Sequence, residues 1–145
     1  MRIFSLFLLA LLLAAPASAQ LTLSTSGTIC PGDSVTASVS GGGAQLLTFL
    51  GLGENTGSTT IGAGPSFAVT IDLDSPFVIL PIGFTDANGD ADLTISIPSS
   101  VNTAILPDSL YIQAATMDFT IGMGMPTWTF ETSNVENVTG GSSCP

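Results

Sequence analysis

Apolar and polar residues alternate along most of this chain, and the period is two. In residues 91–97, Leu93, Ile95 and Ile97 fall on one side and Asp92, Thr94 and Ser96 on the other. That is the pattern of a strand with one buried and one wet face. The same alternation runs through 21–25, 34–40 (Val35, Ala37, Val39) and 66–72 (Phe67, Val69, Ile71). Residues 44–50 are more fully apolar, with Leu46, Leu47, Phe49 and Leu50, which predicts a central strand covered on much of both faces. Further strands are expected at 58–61, 76–85, 109–117, 127–132 and 134–139. No stretch sustains the 3.6-residue period of a packed helix.

The breaks between these runs carry turn chemistry. Pro31-Gly32 and Gly41-Gly42-Gly43 punctuate the first half, 51–65 is the loosest segment, and 119–126 reads as a Gly- and Met-containing loop. Asn88-Gly89 lies between two β-prone arms, 76–85 and 90–97, and predicts that those arms pair as a hairpin. Residues 98–108 contain Pro98 and Pro107; they read as a crossover between sheets with room for one helical turn. The whole predicts an all-β chain, a sandwich of about 7–9 antiparallel strands. A closed barrel satisfies the same alternation.

The first residues stand apart. Met1-Arg2, the apolar run 3–15 and Pro16-Ala17-Ser18-Ala19 form a signal peptide pattern, residues 1–19, with cleavage before Gln20. One domain over 20–139 follows, and 140–145 reads as a flexible tail that a disulfide would tether. The expected product is secreted, to the extracellular space or the cell surface, with no membrane insertion after cleavage.

Charge narrows the partners. The chain has 11 acidic residues, one basic residue (Arg2, in the leader) and no histidine. Without cations beyond the leader the domain cannot neutralise phosphates, so nucleic acid is excluded as a partner, and anionic membrane surfaces repel it. The absence of histidine and lysine rules out Ser-His-Asp and Cys-His catalysis, imidazole zinc sites and Schiff bases. Gly51-x-Gly53 lacks the rest of a phosphate-loop fingerprint.

A few residues remain as candidates for chemistry. Asp86, Asn88, Asp90 and Asp92 stand at alternate positions, as oxygen ligands do in calcium loops. Against that loop, Gly89 is fourth, Ala91 sixth and Ile97 twelfth, where glycine is wanted at the sixth and a bidentate Glu at the twelfth. The other reading is a turn in which Asp86 and Asn88 bond the local backbone and Gly89 takes positive φ. Calcium, held weakly, is the cofactor that this stretch could take; none other is indicated. Asp72 and Asp74 read as turn and solvent-facing residues, since a hydrolytic carboxylate pair needs an enclosed site. Cys30 and Cys144, the only cysteines, favour one disulfide in an exported chain, with a bond between molecules as the rival. Tyr111, Trp128 and Phe130 read as core, packed with Met117, Met123 and Met125; an exposed Trp128 would instead suit a glycan contact. Asn137-Val138-Thr139 matches the N-glycosylation pattern and is expected to go unused.

Thr85-Asp86-Ala87-Asn88-Gly89 followed by an alternating strand resembles the turn of bacterial Ig-like domains of the invasin and adhesin kind. Residues 85–98, 110–114 and 132–135, with Gly27-Thr28-Ile29-Cys30-Pro31-Gly32-Asp33 earlier, are similar to small secreted proteins of planctomycetes. The resemblance implies an Ig-like sandwich acting as a surface or matrix component, and brings no catalytic residues. The expected function is a non-enzymatic secreted or cell-surface structural or interaction protein, self-association included, with protein or glycan partners. The alternative is a glycan- or calcium-binding extracellular module.

Overall fold

The computed structural model describes residues 20–62, 67–121 and 126–145. The leader reading, the cleavage site before Gln20, and Ser66, Met123 and Met125 concern or adjoin residues outside that set. Nine strands are seen among the described residues: β1 (Thr22–Gly27), β2 (Ser34–Ser40), β3 (Leu47–Gly53), β4 (Thr56–Gly62), β5 (Ala68–Leu73), β6 (Phe77–Phe84), β7 (Ala91–Ser96), β8 (Ser109–Ile121) and β9 (Pro126–Thr139). They form a three-stranded sheet β1-β2-β7, a four-stranded sheet β6-β3-β8-β9 and a separate hairpin β4-β5. Every strand pair is antiparallel, so the chain is all-β.

Alternation places the core. On the first sheet Val35, Ala37 and Val39 are buried, with Leu23 opposite Val39 across the β1–β2 ladder. On the second sheet Leu50, Ile112, Ala114 and Val138 are buried, and all eight belong to one cluster. Burying each large aliphatic side chain stabilises by roughly 1.5–3 kcal/mol. A one-residue slip would turn the whole set to solvent, which fixes the register.

Side chains join the margins of the two sheets at β1 and β9. Asn134 Nδ2 donates to the Leu23 carbonyl at 3.0 Å and its Oδ1 accepts from Leu23 N–H at 2.9 Å; Glu131 Oε1 accepts from Leu21 N–H at 2.9 Å. These amide and carboxylate groups satisfy the outer backbone groups of an edge strand that has no ladder partner there.

Two expectations are corrected. The arms around Asn88-Gly89 do not pair as a hairpin: β6 pairs with β3 in one sheet and β7 with β2 in the other. The turn is therefore a corner at which the chain changes sheets. Thr85, 3 % exposed, stitches it to the neighbouring loop, donating to the Gly43 carbonyl at 2.6 Å while its hydroxyl accepts from Leu46 N–H at 2.9 Å. The second correction concerns 119–139. β8 runs on to Ile121, β9 is one strand from Pro126, and their ladder shifts register between Gln113 and Ala115 of β8. The crossover at 98–108 does link the two sheets and contains one 3-10 turn, Thr103–Ile105.

The disulfide Cys30–Cys144 is formed, with Cα atoms 5.5 Å apart. The C-terminal residues are also held by polar contacts. Ile29 N–H donates to the Thr139 carbonyl at 2.9 Å, and Asp108 Oδ1 accepts from Ser142 N–H at 2.7 Å. Among the described residues no helix is long and apolar enough to cross a membrane.

Candidate functional site: an aromatic face under the β4–β5 hairpin

The second sheet has two apolar faces. Strand alternation sends Ile112 and Ala114 of β8 to the core and leaves Gln113, Ala115, Met117, Phe119 and Ile121 on the outer side. Ladder partners extend that outer face: Phe49 opposite Ala115, Ile79 opposite Gly51, Phe130 opposite Met117 and Trp128 opposite Phe119. The expectation for β3, apolar on both faces, is met here, since Leu50 is in the core and Phe49 lies beneath the hairpin.

The hairpin is anchored at one end. Ile71 and Leu73 are buried, and a Cβ on Gly51 would come within 2.9 Å of Leu73 Cδ1, so glycine lets β5 approach the sheet. Gln113, 2 % exposed, fixes the strand in place: its Oε1 accepts from Asp72 N–H at 2.7 Å, and its Nε2 donates to Asp72 Oδ2 at 3.0 Å and to the Ser133 carbonyl at 2.8 Å. At the other end Phe67 meets Trp128 edge-on, centroids 5.7 Å apart, and Phe130 likewise at 5.2 Å. Trp128 also leans on Phe119 at 4.4 Å. Between the anchored end and the aromatic end lies a cavity of about 330 Å³, walled by Phe49, Val69, Ile71, Met117, Trp128 and Phe130 among others. Among the described residues that line it, the polar groups are the indole N–H of Trp128 and the amide of Gln113, the latter already bonded as above. The aromatics read as core thus sit on the face opposite the core, half-buried. Apolar side chains reach solvent around them: Phe67 is 40 % exposed, Ile79 44 %, Phe119 44 % and Ile121 81 %.

Sequence reading missed this site, although the signal was present in the odd positions from Ala115 to Ile121, all apolar. What hid it was the cover: nothing local says that β4 and β5 lie over that face.

The Asp86 turn is built differently. Asp86 Oδ1 accepts from Asn88 N–H at 2.8 Å and Asp90 N–H at 3.0 Å, and Gly89 has φ +85°. Asp92 lies on β7 opposite Ser38, and among the described residues no three Asp, Glu, Cys or His side chains gather as a metal set. The carboxylate that would lead a calcium site is occupied by backbone donors. Asp86→Ala is therefore expected to lower the melting temperature equally in millimolar calcium and in EDTA. A loss seen only in calcium, measured by calorimetry, would contradict this.

The same donors set a pH dependence. The backbone N–H of Asp90, then that of Asn88, hold Asp86 below its ordinary 3.8, and Ser142 N–H does the same for Asp108. Their stabilisation is complete above about pH 3.8 and is lost as pH falls through the lowered folded values. The chain has no histidine and its cysteines are paired, so the melting temperature is expected to stay flat from roughly pH 5.5 to 9 and to fall below about pH 3.8. A midpoint near pH 6.5 in thermal melts would contradict it.

Compared with known proteins, the chain matches no family model and no curated sequence.

Proposed function

We propose that this chain is a non-enzymatic secreted or cell-surface interaction protein, an Ig-like sandwich that associates through the outer face of β6-β3-β8-β9, first of all with a second copy of itself. The observation that carries the reading is the row of solvent-reaching apolar side chains, Phe67, Ile79, Phe119 and Ile121, on a face whose ladder positions bear no charge. Contiguous exposed apolar surface of this kind marks interaction sites. A two-fold pair would lay the patch against itself. The resemblance to adhesin-type Ig-like domains agrees with that role, and the disulfide fits an exported chain. A sugar would need free hydrogen-bonding groups beside Trp128, whereas both N–H groups of Gln113 are already donated. Apolar contact is the chemistry this surface favours.

Each copy carries acidic side chains with no basic ones outside the leader, so electrostatic repulsion opposes pairing and salt relieves it. Association is expected to strengthen by about tenfold between 20 and 500 mM salt, and Ile121→Asp, at an exposed position, is expected to abolish it without lowering the melting temperature. Light scattering after gel filtration checks both. A chain that stays monomeric at high salt and millimolar concentration would overturn the reading.

A further inference from the structure

We infer that the cavity beneath the β4–β5 hairpin is a binding site for a small hydrophobic molecule with a neutral or cationic head, a single-chain alcohol or amine rather than a fatty acid. The inference rests on the accessibility of the face just described, and not on the presence of a second copy.

Size comes first. About 330 Å³ lies at the small end of ligand sites, roughly 300–1,000 Å³. At the interior packing density of about 0.75 it holds an aliphatic chain on the order of ten carbons. The cavity is not a gap in the core: the buried cluster between the two sheets contains none of its aromatic residues. One side is rigid sheet, and the other is a hairpin held at Ile71, Leu73 and the Asp72–Gln113 pair. Phe67 stands over Trp128 and Phe130 through edge contacts at the far end.

Charge selects the head group. A carboxylate head would find no Lys, Arg or His outside the leader. Every charged side chain outside the leader is acidic; among them Asp72, though not part of the cavity wall, accepts a hydrogen bond from the cavity-lining Gln113. That uniformly negative charge opposes a carboxylate, attracts an ammonium group and tolerates a hydroxyl. The walls bind the tail by apolar burial, which strengthens affinity by about fourfold per methylene until the cavity is full.

Trp128 is the only tryptophan and forms part of the wall, so its emission reports occupancy directly. The experiment titrates the disulfide-bonded chain, at a concentration where gel filtration shows monomer, with hexanol, octanol, decanol, decylammonium and decanoate at pH 7. Saturable shifts are expected for the alcohols, tightening about fourfold per methylene to roughly ten carbons, with decylammonium at least as tight as decanol and decanoate weaker by tenfold or more. Val69→Phe and Ala115→Phe, which fill the cavity from its two sides, are expected to abolish the decanol shift. If Ala115→Phe fails to unfold cooperatively, Val69→Phe decides. Decanoate binding as tightly as decanol, no saturable shift with any alcohol, or decanol binding that survives the filling would overturn the inference. Failure here with salt-dependent association intact would leave the interaction reading standing, and the converse holds as well.

Discussion

Replacing Cys30 and Cys144 together by serine is expected to lower the unfolding free energy by about 4–5 kcal/mol, the largest effect of any change at a pair of side chains in this chain. The bond joins residues 114 apart. In the chain-entropy account a loop of about that length restricts the unfolded state by roughly 4.7 kcal/mol. Domains of this size have about 5–15 kcal/mol in total, so the reduced protein should stand near the limit of folding at 37 °C. The native contacts around the bond, Ile29 with Thr139 and Asp108 with Ser142, exist only in the folded state and cannot restrict the unfolded chain. Urea unfolding with and without reductant measures the difference. A loss under 1 kcal/mol would mean that the unfolded chain is already compact or that the tail contributes little.

Gly89→Ala is the second large loss. Gly89 sits at φ +85°, and an added Cβ would lie 1.9 Å from the Gly42 carbonyl oxygen. The strain of left-handed backbone costs an L-residue about 1–2 kcal/mol. Here the clash with backbone adds to it, because both chain segments at that point are changing sheets and neither can retreat without disturbing Thr85 and its bonds to 43–46. The expected total is about 3–4 kcal/mol. Gly83→Ala is the control: φ is +122° with no heavy atom within 4 Å of the added carbon, so only backbone strain of about 1–2 kcal/mol should appear. Equal losses at the two positions in denaturant melts would show that close approach at the corner contributes nothing.

That corner also marks where sequence reasoning succeeded and where it failed. Val35, Ala37 and Val39 place β2 at Ser34–Ser40, with the expected limits, because a strand wet on one face writes its period plainly. Asn88-Gly89 announces a reversal and Gly89 does take positive φ, yet the arms join different sheets. A turn signal fixes local backbone direction only. Partner choice is not written locally: β6 pairs with β3 although its Val78 and Ile79 stay exposed. β7, with Asp92, Thr94 and Ser96 wet, goes to the sheet that faces water. Trp128 and Phe130 were legible as one face of a strand but not as which face. An aromatic stripe has the same period over a core as over an outer cavity, and the cover comes from a hairpin more than fifty residues away. The disulfide was legible as far as two cysteines in an exported chain allow. Its closure within the chain, tethering the tail, was the favoured expectation, and Cys30 and Cys144 are so joined.

The measurement that tests the account most directly is sedimentation equilibrium of the oxidised chain at 500 mM salt, compared with Ile121→Asp under the same conditions. The account predicts a mass that rises with concentration towards twice that of the monomer, and a monomer throughout for the substituted chain, with both proteins melting at the same temperature. A wild-type chain that sediments as monomer at millimolar concentration, or one whose association survives Ile121→Asp, would contradict the claim that the outer aromatic face is where this protein meets its partner.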